Sequence, residues 1–133
     1  HFGMAIEGDT VLVPISDMLD EHDGKPPRPG KPGLYGLDAA TGQQRWAAPA
    51  DNVCGDLKFC DSGISAAISA APGLVFAGHM DGRFRGYDSR TGKVLFEYDA
   101  KQEVTTVSGA RARGGSFGGA GAAIRNGYVI VNS

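Results

Sequence analysis

The sequence has 133 residues, a formal net charge of -2 and 41% hydrophobic residues, which is the size of one domain with enough apolar side chains for a core. This charge balance excludes the basic surface that binds nucleic acid or an anionic membrane. No apolar run approaches the roughly 18 residues of a membrane-spanning helix. The 21 glycines exceed the usual frequency of about 7% more than twofold, and they lie at turns and in one loop.

The first predicted element is a hairpin. Residues 2–6 and 10–15 are short apolar strands, and Glu7, Gly8 and Asp9 form a tight turn between them. The same kind of strand pair recurs twice, at residues 65–71 with 74–78 and at 120–124 with 128–131. The last of these pairs contains Asn126-Gly127, the favoured sequence for a two-residue hairpin turn.

A second kind of hairpin follows the first two pairs. Residues 33–46, GLYGLDAATGQQRW, repeat at an offset of 50 residues in GRFRGYDSRTGKVLFEY, so that Asp38 matches Asp88 and Trp46 matches Phe96. In each copy the Asp carboxylate can accept from backbone N–H groups of the turn, and the Gly of the Thr-Gly pair can adopt a positive φ. This chemistry predicts a type I turn closed by a bulge.

The chain therefore reads as hairpin, loop, hairpin, loop. Antiparallel units of four strands, repeated every 40 to 50 or so residues, are typical of a β-propeller. We predict an all-β fold with two and a half four-stranded blades, at residues 3–46, 65–98 and 120–133. A β-sandwich with accidental internal similarity is the alternative. Because a propeller needs about 4 to 8 blades to close, and because the chain opens on His1 in mid-pattern, we expect a piece of a longer protein.

The connections between strands differ in length on the two predicted faces. The turns within each hairpin are tight and lie on one face, which we call the tight-turn face. Residues 16–32, 47–63 and 99–119 are long and lie on the opposite, loop-rich face, where only residues 79–81 are short. Long loops on a rigid scaffold are where binding and chemistry concentrate.

These residues resemble a known family. The units GLDAATGQQRW and GYDSRTGKVLF look like the pyrroloquinoline quinone (PQQ) propeller repeat. Together with CGDLKFC and ARGGSFGGAG, they are similar to the polyvinyl alcohol dehydrogenase branch of the quinoprotein alcohol dehydrogenases. The resemblance implies a cofactor pair of PQQ and Ca²⁺ over the channel of an eight-bladed ring. It also implies hydride transfer from an alcohol to the quinone, and electron transfer to a cytochrome c.

The resemblance also implies a metal ligand. Family members place an Asn or Glu ligand just after a second strand, and the matching residue here is Asp17, a hard oxygen donor suited to Ca²⁺. Three further acidic residues, Asp20, Glu21 and Asp23, share its loop. The alternative interpretation is a solvated acidic loop.

A glycine segment matches the family's quinone contact. Arg113, Gly114, Gly115 and Ser116 correspond to the block whose hydroxyl residue contacts PQQ, although the family's stacking Trp is replaced by Gly118. The guanidinium of Arg113, like that of Arg111 before it, can bind a quinone carboxylate bidentately. The alternative interpretation is that these are surface arginines that bind no ligand.

Cys54 and Cys60 are the only cysteines. A metal site would need further ligands at matching spacing, so we predict a structural disulfide of an extracytoplasmic protein. Asp56 and Asp61 flank this pair as candidate bases, without a feature that selects either one. His22 and His79 lie on the loop-rich face as less favoured ligand contacts.

Two classes of function remain. The first is part of a periplasmic or secreted PQQ-dependent dehydrogenase of alcohols or polyalcohols. The second is a propeller without cofactor that serves as a binding or assembly scaffold. Because groups from other blades would complete the site, we expect the 133-residue chain alone to be inactive and to associate with itself or with other blades.

Overall fold

The computed structural model describes residues 3–17, 30–55 and 60–133, and all regular secondary structure in these residues is β-strand. The strands are β1 Ala5–Glu7, β2 Thr10–Ile15, β3 Gly33–Asp38, β4 Gln44–Pro49, β5 Ser69–Ala71, β6 Leu74–Gly78, β7 Arg83–Asp88, β8 Val94–Asp99, β9 Val104–Thr105, β10 Arg111–Ala112, β11 Ala123–Arg125 and β12 Tyr128–Ile130.

The strands form two antiparallel four-stranded sheets in the orders β1-β2-β3-β4 and β5-β6-β7-β8, and β11 pairs with β12. The register repeats as well, because Leu12 lies opposite Gly36 and Phe76 lies opposite Gly86. This up-and-down order places the turns within the hairpins at one end and the long connections at the other. The all-β fold of a partial propeller is thus confirmed, whereas the exact blade boundaries stay a prediction.

The repeated Asp turns form as the sequence predicts. Asp38 Oδ1 accepts the N–H groups of Ala40 at 3.0 Å and Thr41 at 2.8 Å. Asp88 makes the same two bonds in the second sheet, each at 2.9 Å. A carboxylate bonded in this way holds the turn together without any partner from the rest of the chain.

The closure of this turn differs from the predicted type I turn in one detail. The Gly42 N–H bonds to Asp38 O at 2.8 Å, four residues back, so the loop is an α-turn. The predicted positive φ is present, at 71° for Gly42 and 72° for Gly92. The bulge is present too, because the register on β4 skips Arg45. On β8 it skips Leu95.

Three predicted strands begin later in the structure than the sequence analysis expects. Residues 65–68 do not pair with β6, because Ala67 N–H bonds to Gly119 O at 3.1 Å and Ile68 N–H bonds to Gly3 O at 3.3 Å. Strands β1 and β11 begin at Ala5 and Ala123, later than predicted. The loop after β8 also contains a small hairpin, β9 with β10, which the sequence analysis missed.

Two apolar clusters form the core. The first fills the space between the two sheets, and the second lies on the other side of the second sheet, against the loop that follows β8. Both are built from alternate positions along the strands, as a two-sided sheet requires. The first contains Leu12, Leu34, Trp46, Ile64, Ile68, Val75, Ala77 and Tyr87. The second contains Ala66, Phe84, Ala100, Phe117 and Ala122.

Trp46 joins the first sheet to the second. Its ring lies over Gly36, where an added Cβ would come within 2.3 Å of the indole. The indole Nε1–H donates to Ser89 O at 3.1 Å, in the turn of the second sheet. Gly92 of that turn also touches the ring, because a Cβ there would lie 2.4 Å from it. The aromatic end of one repeat therefore rests on the turn of the next.

Candidate functional site

A cavity of about 360 Å³ opens at the loop-rich end of the first sheet. Its wall combines polar side chains with apolar surface. Because long connections converge here on a rigid sheet, this cavity is a candidate binding site. The lining residues are Asp17, Gly30, Pro32, Ala50, Asn52, Gly55, Cys60, Asp61 and Ser62.

Asp17 enters this cavity directly after β2. Its backbone has φ of +36°, a left-handed conformation that is uncommon for a residue other than glycine. Its Oδ2 accepts the Lys31 N–H at 2.6 Å, and Tyr35 Oη donates to Lys31 O at 2.7 Å. Gly30 is required beside it, because an added Cβ would lie 2.4 Å from Asp17 O. Burial, and then the charge of Asp17, raise the pKa of Tyr35.

Asp61 reaches the same cavity from the connection between β4 and β5. Its Oδ1 accepts the Gly63 N–H at 2.6 Å. Gly63 allows Ser16 to approach, since a Cβ at this glycine would lie 2.3 Å from Ser16 O. A bond from Ile64 N–H to Ile15 O, 3.2 Å long, fixes the two chain segments side by side. The fold thus brings Asp17 and Asp61 together, although they are far apart in sequence.

The predicted disulfide is present. Cys54 and Cys60 are joined, with Cα atoms 5.5 Å apart. Cys54 is buried, and Cys60 lines the cavity next to Asp61. The bridge therefore ties Cys60, in the cavity wall, to the buried Cys54 in the same connection after β4.

The glycine segment does not line the cavity, and it lies against the second sheet. Phe117 anchors it by packing on Phe84, with ring centroids 5.7 Å apart. Ser116 Oγ donates to Met80 O at 2.6 Å, so the hydroxyl proton is used within the protein. An added Cβ at Gly115 would meet nothing within 4 Å, which leaves open space above this part of the segment. Gly118, at the position of the family's Trp, likewise faces open space.

The two arginines before the glycines differ in their surroundings. Arg111 forms an ion pair with Glu103 across the small hairpin. Arg113 is exposed, and none of the ion pairs among the described residues involves it. Arg113 is therefore the better placed of the two to bind an anionic group.

His79 is a buried residue of the protein interior. Its exposed fraction is 0%, and it does not line the cavity. The ring bonds to Ser62 O through Nδ1 at 2.9 Å and to Tyr87 Oη through Nε2 at 2.8 Å. Burial, and then the charge of Arg85, lower the pKa of His79 to about 4, so the imidazole is neutral near pH 7. Burial raises the pKa of Tyr87. Both ring nitrogens of this less favoured ligand candidate are thus used in bonds within the protein.

Buried charges lie next to His79. Arg85 bonds to Glu97 through Nε at 2.7 Å and to Asp81 through Nη2 at 3.3 Å, and Arg83 pairs with the other oxygen of Glu97. Arg85 Nη1 is the one buried side-chain donor without a hydrogen-bond partner in the described part of the chain. The sequence analysis missed this network, whose only sequence signal is the Arg-x-Arg spacing on β7.

Several predicted candidates cannot be placed. His22, Asp56 and the acidic residues Asp20, Glu21 and Asp23 lie outside the described residues, as does His1. The structure adds Asn52 and Ser62 to the cavity wall, and the sequence analysis named neither. Single polar residues in a long loop carry no pattern that would have revealed them.

The oxygen donors of the cavity are of the chemical type that hard cations bind. Asp17 and Asp61 offer carboxylates, and Asn52 and Ser62 offer further oxygens, which is the chemistry that Ca²⁺ prefers. Within the described ranges no group of three or more His, Cys, Asp or Glu residues could hold a metal ion. Ligands beyond these side chains would have to complete the six to eight or so that Ca²⁺ takes.

The site can now be compared with known proteins. The PQQ_2 family model, described as outer membrane protein assembly factor BamB, matches residues 2–127. The chain belongs to the PQQ_2 family. The resemblance predicted from the repeated turns is confirmed over almost the whole chain.

Two relatives with established names are similar over the full chain. The polyvinylalcohol dehydrogenase of Pseudomonas sp is 42% identical to it, and that of Sphingopyxis sp. (strain 113P3) is 40% identical. The chain spans 20% of the length of each relative. These proteins confirm the predicted similarity to polyvinyl alcohol dehydrogenases, and the chain aligns with a limited part of each.

Solved structures support the fold. The quinohemoprotein alcohol dehydrogenase from Comamonas testosteroni matches 96% of this chain and 16% of its own length, with a TM-score of 0.59 and 18% identity. BamB from Moraxella catarrhalis matches 95% of this chain and 32% of its own length, with a TM-score of 0.56 and 18% identity. At this identity the likeness shows the propeller fold alone. Residues 3–17, 30–55 and 60–133 contain no helix long and apolar enough to span a membrane.

Proposed function

We propose that this chain is part of a periplasmic PQQ-dependent dehydrogenase that oxidises alcohols, including polyalcohols, and passes electrons to a cytochrome c. The observation that carries the proposal is the 42% identity, over the entire chain, to a polyvinylalcohol dehydrogenase. The Cys54–Cys60 disulfide supports an oxidising compartment. Further propeller blades are the partners that would complete the ring.

The residues of the cavity would bind the metal and the alcohol. Asp17 would supply a carboxylate to Ca²⁺, with Asn52 able to add an amide oxygen. Asp61, on the same wall, would accept the hydroxyl proton of the alcohol as the base. Pro32 and Ala50 offer apolar surface to the hydrocarbon chain of the substrate.

The glycine segment would bind the quinone. Arg113 would pair with one of its carboxylates, and the open space at Gly115 would admit its edge. The Ser116 hydroxyl, whose proton is donated to Met80 O, would act as an acceptor. When bound, the quinone would take up the hydride that leaves the alcohol carbon.

The test is a dye-linked assay of the whole protein with PQQ and Ca²⁺, using poly(vinyl alcohol) and 2,4-pentanediol as substrates. We expect turnover that requires both cofactors, and none above background from the 133-residue chain. Asp17→Asn should raise the Ca²⁺ concentration needed for activity, whereas Asp51→Asn, an exposed acidic control outside the cavity, should not. A whole protein without PQQ-dependent turnover would refute the proposal.

A second assay addresses quinone binding. Arg113→Gln should weaken PQQ binding about 10- to 100-fold, as expected for the loss of a hydrogen bond between charged groups. Arg125→Gln, an exposed arginine at the tight-turn face, is the matched control. Equal PQQ affinity in both variants would remove Arg113 from the proposed site.

The second candidate function is an assembly scaffold without cofactor. It is favoured by one observation, the open space at Gly118 where the resemblance implies a stacking Trp. The family description as an assembly factor agrees with this function. Under this alternative, the whole protein would leave the absorbance spectrum of added PQQ unchanged.

A further inference from the structure

Two parts of the candidate site are fastened to the same short connection, between β6 and β7. Met80 N–H donates to Gly63 O at 2.9 Å, on the side of the cavity wall. Met80 O accepts the Ser116 hydroxyl at 2.6 Å, and His79 O accepts the Phe117 N–H at 3.1 Å, on the side of the glycine segment. Cavity wall and glycine segment thus meet at two consecutive residues.

The side chain of His79 adds a bond that the backbone alone would not supply. Because a carbonyl oxygen can only accept, the bond to Ser62 O fixes the ring proton on Nδ1. Nε2 then accepts the Tyr87 hydroxyl proton. The ring has no exposed surface, and both nitrogens are used in holding other parts of the protein.

The first sheet shows which part of this arrangement belongs to the repeat. Ile15 is the residue of the first sheet that corresponds to His79. Ile15 lies opposite Gly33, the first residue of β3, and the N–H of His79 bonds to the carbonyl of Arg83, the first residue of β7. The Ile15 carbonyl also accepts an N–H from a later loop, that of Ile64. The backbone contact is therefore common to both sheets, while the imidazole bonds occur at His79 only among the described residues.

We propose that His79 is a positioning residue of the candidate site. Its ring holds the cavity wall at Ser62, its backbone holds the glycine segment at Phe117, and Tyr87 fixes the ring in the orientation that both contacts require. The geometry rests on the bonds above. Its catalytic meaning rests on the proposed function, because the two segments are those assigned to the alcohol with Ca²⁺ and to the quinone.

Two substitutions separate the two ring bonds. His79→Asn places an amide N–H where Nδ1 lies, so it keeps the bond to Ser62 O and loses Tyr87. His79→Gln places its amide where Nε2 lies, so it keeps Tyr87 and loses Ser62. Each variant loses one buried hydrogen bond, so we expect the same midpoint of thermal unfolding for both. They differ in which bond is lost, the one to Tyr87 in His79→Asn and the one to Ser62 O in His79→Gln.

The experiment is hydrogen exchange measured by mass spectrometry on the whole protein, without cofactor. His79→Gln should raise the exchange rate at least about tenfold in two peptides, one covering residues 60–64 and one covering 114–118. His79→Asn should leave both within about twofold of the original protein. A change confined to residues 60–64, or equal changes in both variants, would overturn the inference.

A further variant approaches the connection from the other side. Ser116→Ala removes the exposed hydroxyl that bonds to Met80 O, and it is not expected to prevent folding. If His79 and Met80 couple the segments, exchange at residues 60–64 rises severalfold in this variant. Unchanged exchange there would overturn the inference even if His79→Gln does not fold.

Measurement of kcat/KM tests the positioning role of His79 separately from its role in stability. In the protein loaded with PQQ and Ca²⁺, His79→Gln should lower kcat/KM for the alcohol about tenfold or more, while His79→Asn at the same thermal midpoint should not. Loss of kcat/KM to the same extent in both variants would contradict positioning. Absence of turnover in the unsubstituted protein counts against the proposed function only, since the exchange measurement needs neither cofactor nor substrate.

Discussion

Strands β4 and β8 carry the same repeat, yet their aromatic residues lie in opposite environments. Trp46 is 8% exposed, whereas Phe96, fifty residues later, is 52% exposed. Trp46 rests on the Ser89 to Gly92 turn of the second sheet. The β9–β10 and β11–β12 hairpins follow Phe96, and no such turn covers its ring among the described residues. The repeat sets where the aromatic side chain points, and the next sheet decides whether it is buried.

The bulge residues beside these aromatics also differ. Arg45 bonds to Asp9 through Nη2 at 2.7 Å, and the same nitrogen bonds to Asp38 at 2.5 Å. Leu95 stands at the equivalent position of the second sheet and is 54% exposed. With Phe96 and Tyr98 it forms an apolar surface of the kind that proteins usually cover. At the bulge, one outer strand carries ion pairs and the other exposes an apolar side chain.

The largest expected effect comes from Trp46→Ala. Loss of the buried ring and of its bond to Ser89 O should lower the free energy of unfolding by about 3 to 5 kcal/mol. Phe96→Ala in the same 133-residue chain is the matched control and should cost less than about 0.5 kcal/mol. Urea unfolding followed by circular dichroism is suitable, because Trp46 is the only tryptophan. Similar losses in both variants would show that the exposures of the two rings do not differ in solution.

The contribution of Phe96 to the free energy of unfolding increases if further blades cover its ring. In the whole protein, Phe96→Ala should then cost about 3 to 5 kcal/mol, as Trp46→Ala does. In the 133-residue chain, Phe96→Ser should instead reduce self-association, measured by light scattering at micromolar concentration. A chain that is monomeric before the substitution would contradict the expected association.

A pair of glycines isolates the contact beneath Trp46. Gly42 and Gly92 have φ of 71° and 72°, so alanine is strained equally at both. An added Cβ at Gly42 meets nothing within 4 Å, but at Gly92 it would lie 2.4 Å from the Trp46 ring. Gly92→Ala should therefore cost about 1 to 3 kcal/mol more than Gly42→Ala. Equal costs, measured by thermal unfolding, would refute the contact.

The loops that follow the two outer strands can be compared through the disulfide. The loop after β4 is closed by Cys54–Cys60, whereas the loop after β8 contains the β9–β10 hairpin. Replacing both cysteines by serine should lower the free energy of unfolding by about 2 kcal/mol, the chain-entropy value for so short a loop. Thiol titration of the denatured, unreduced protein should detect no free thiol, and two free thiols would contradict the bridge.

The smallest effect concerns the ion pairs of Arg45. The hydrogen bond from Arg45, and then those from Thr41, hold the pKa of Asp38 well below its ordinary value of 3.8. A lowered pKa in the folded state stabilises the protein above pH 4 or so, and this contribution is lost as the pH falls through the folded pKa. Arg45→Leu, which copies the second sheet, should make the unfolding midpoint less dependent on pH below about 4. An unchanged pH dependence would show that these exposed pairs contribute nothing measurable.

The amino-acid sequence by itself determined the hairpins. Each Asp turn is closed by bonds within five residues, as between Asp38 and Gly42, so its signal is local and readable. The same holds for the Asn126-Gly127 turn, where both residues adopt positive φ. Alternation along the strands and the fixed repeat then allowed the all-β propeller units and their two faces to be predicted.

Only the tertiary structure decided the environment of each side chain. Trp46 is buried by a residue 43 positions away, and Ser89 bonds to Glu7 across 82 positions. The position of Asp17 and Asp61 in one cavity wall, and the burial of His79 in the connection between β6 and β7, likewise depend on how the second sheet packs on the first. Such contacts leave no periodic trace in the sequence, because they form between segments whose relative position is fixed only by packing and by hydrogen bonds over long separations.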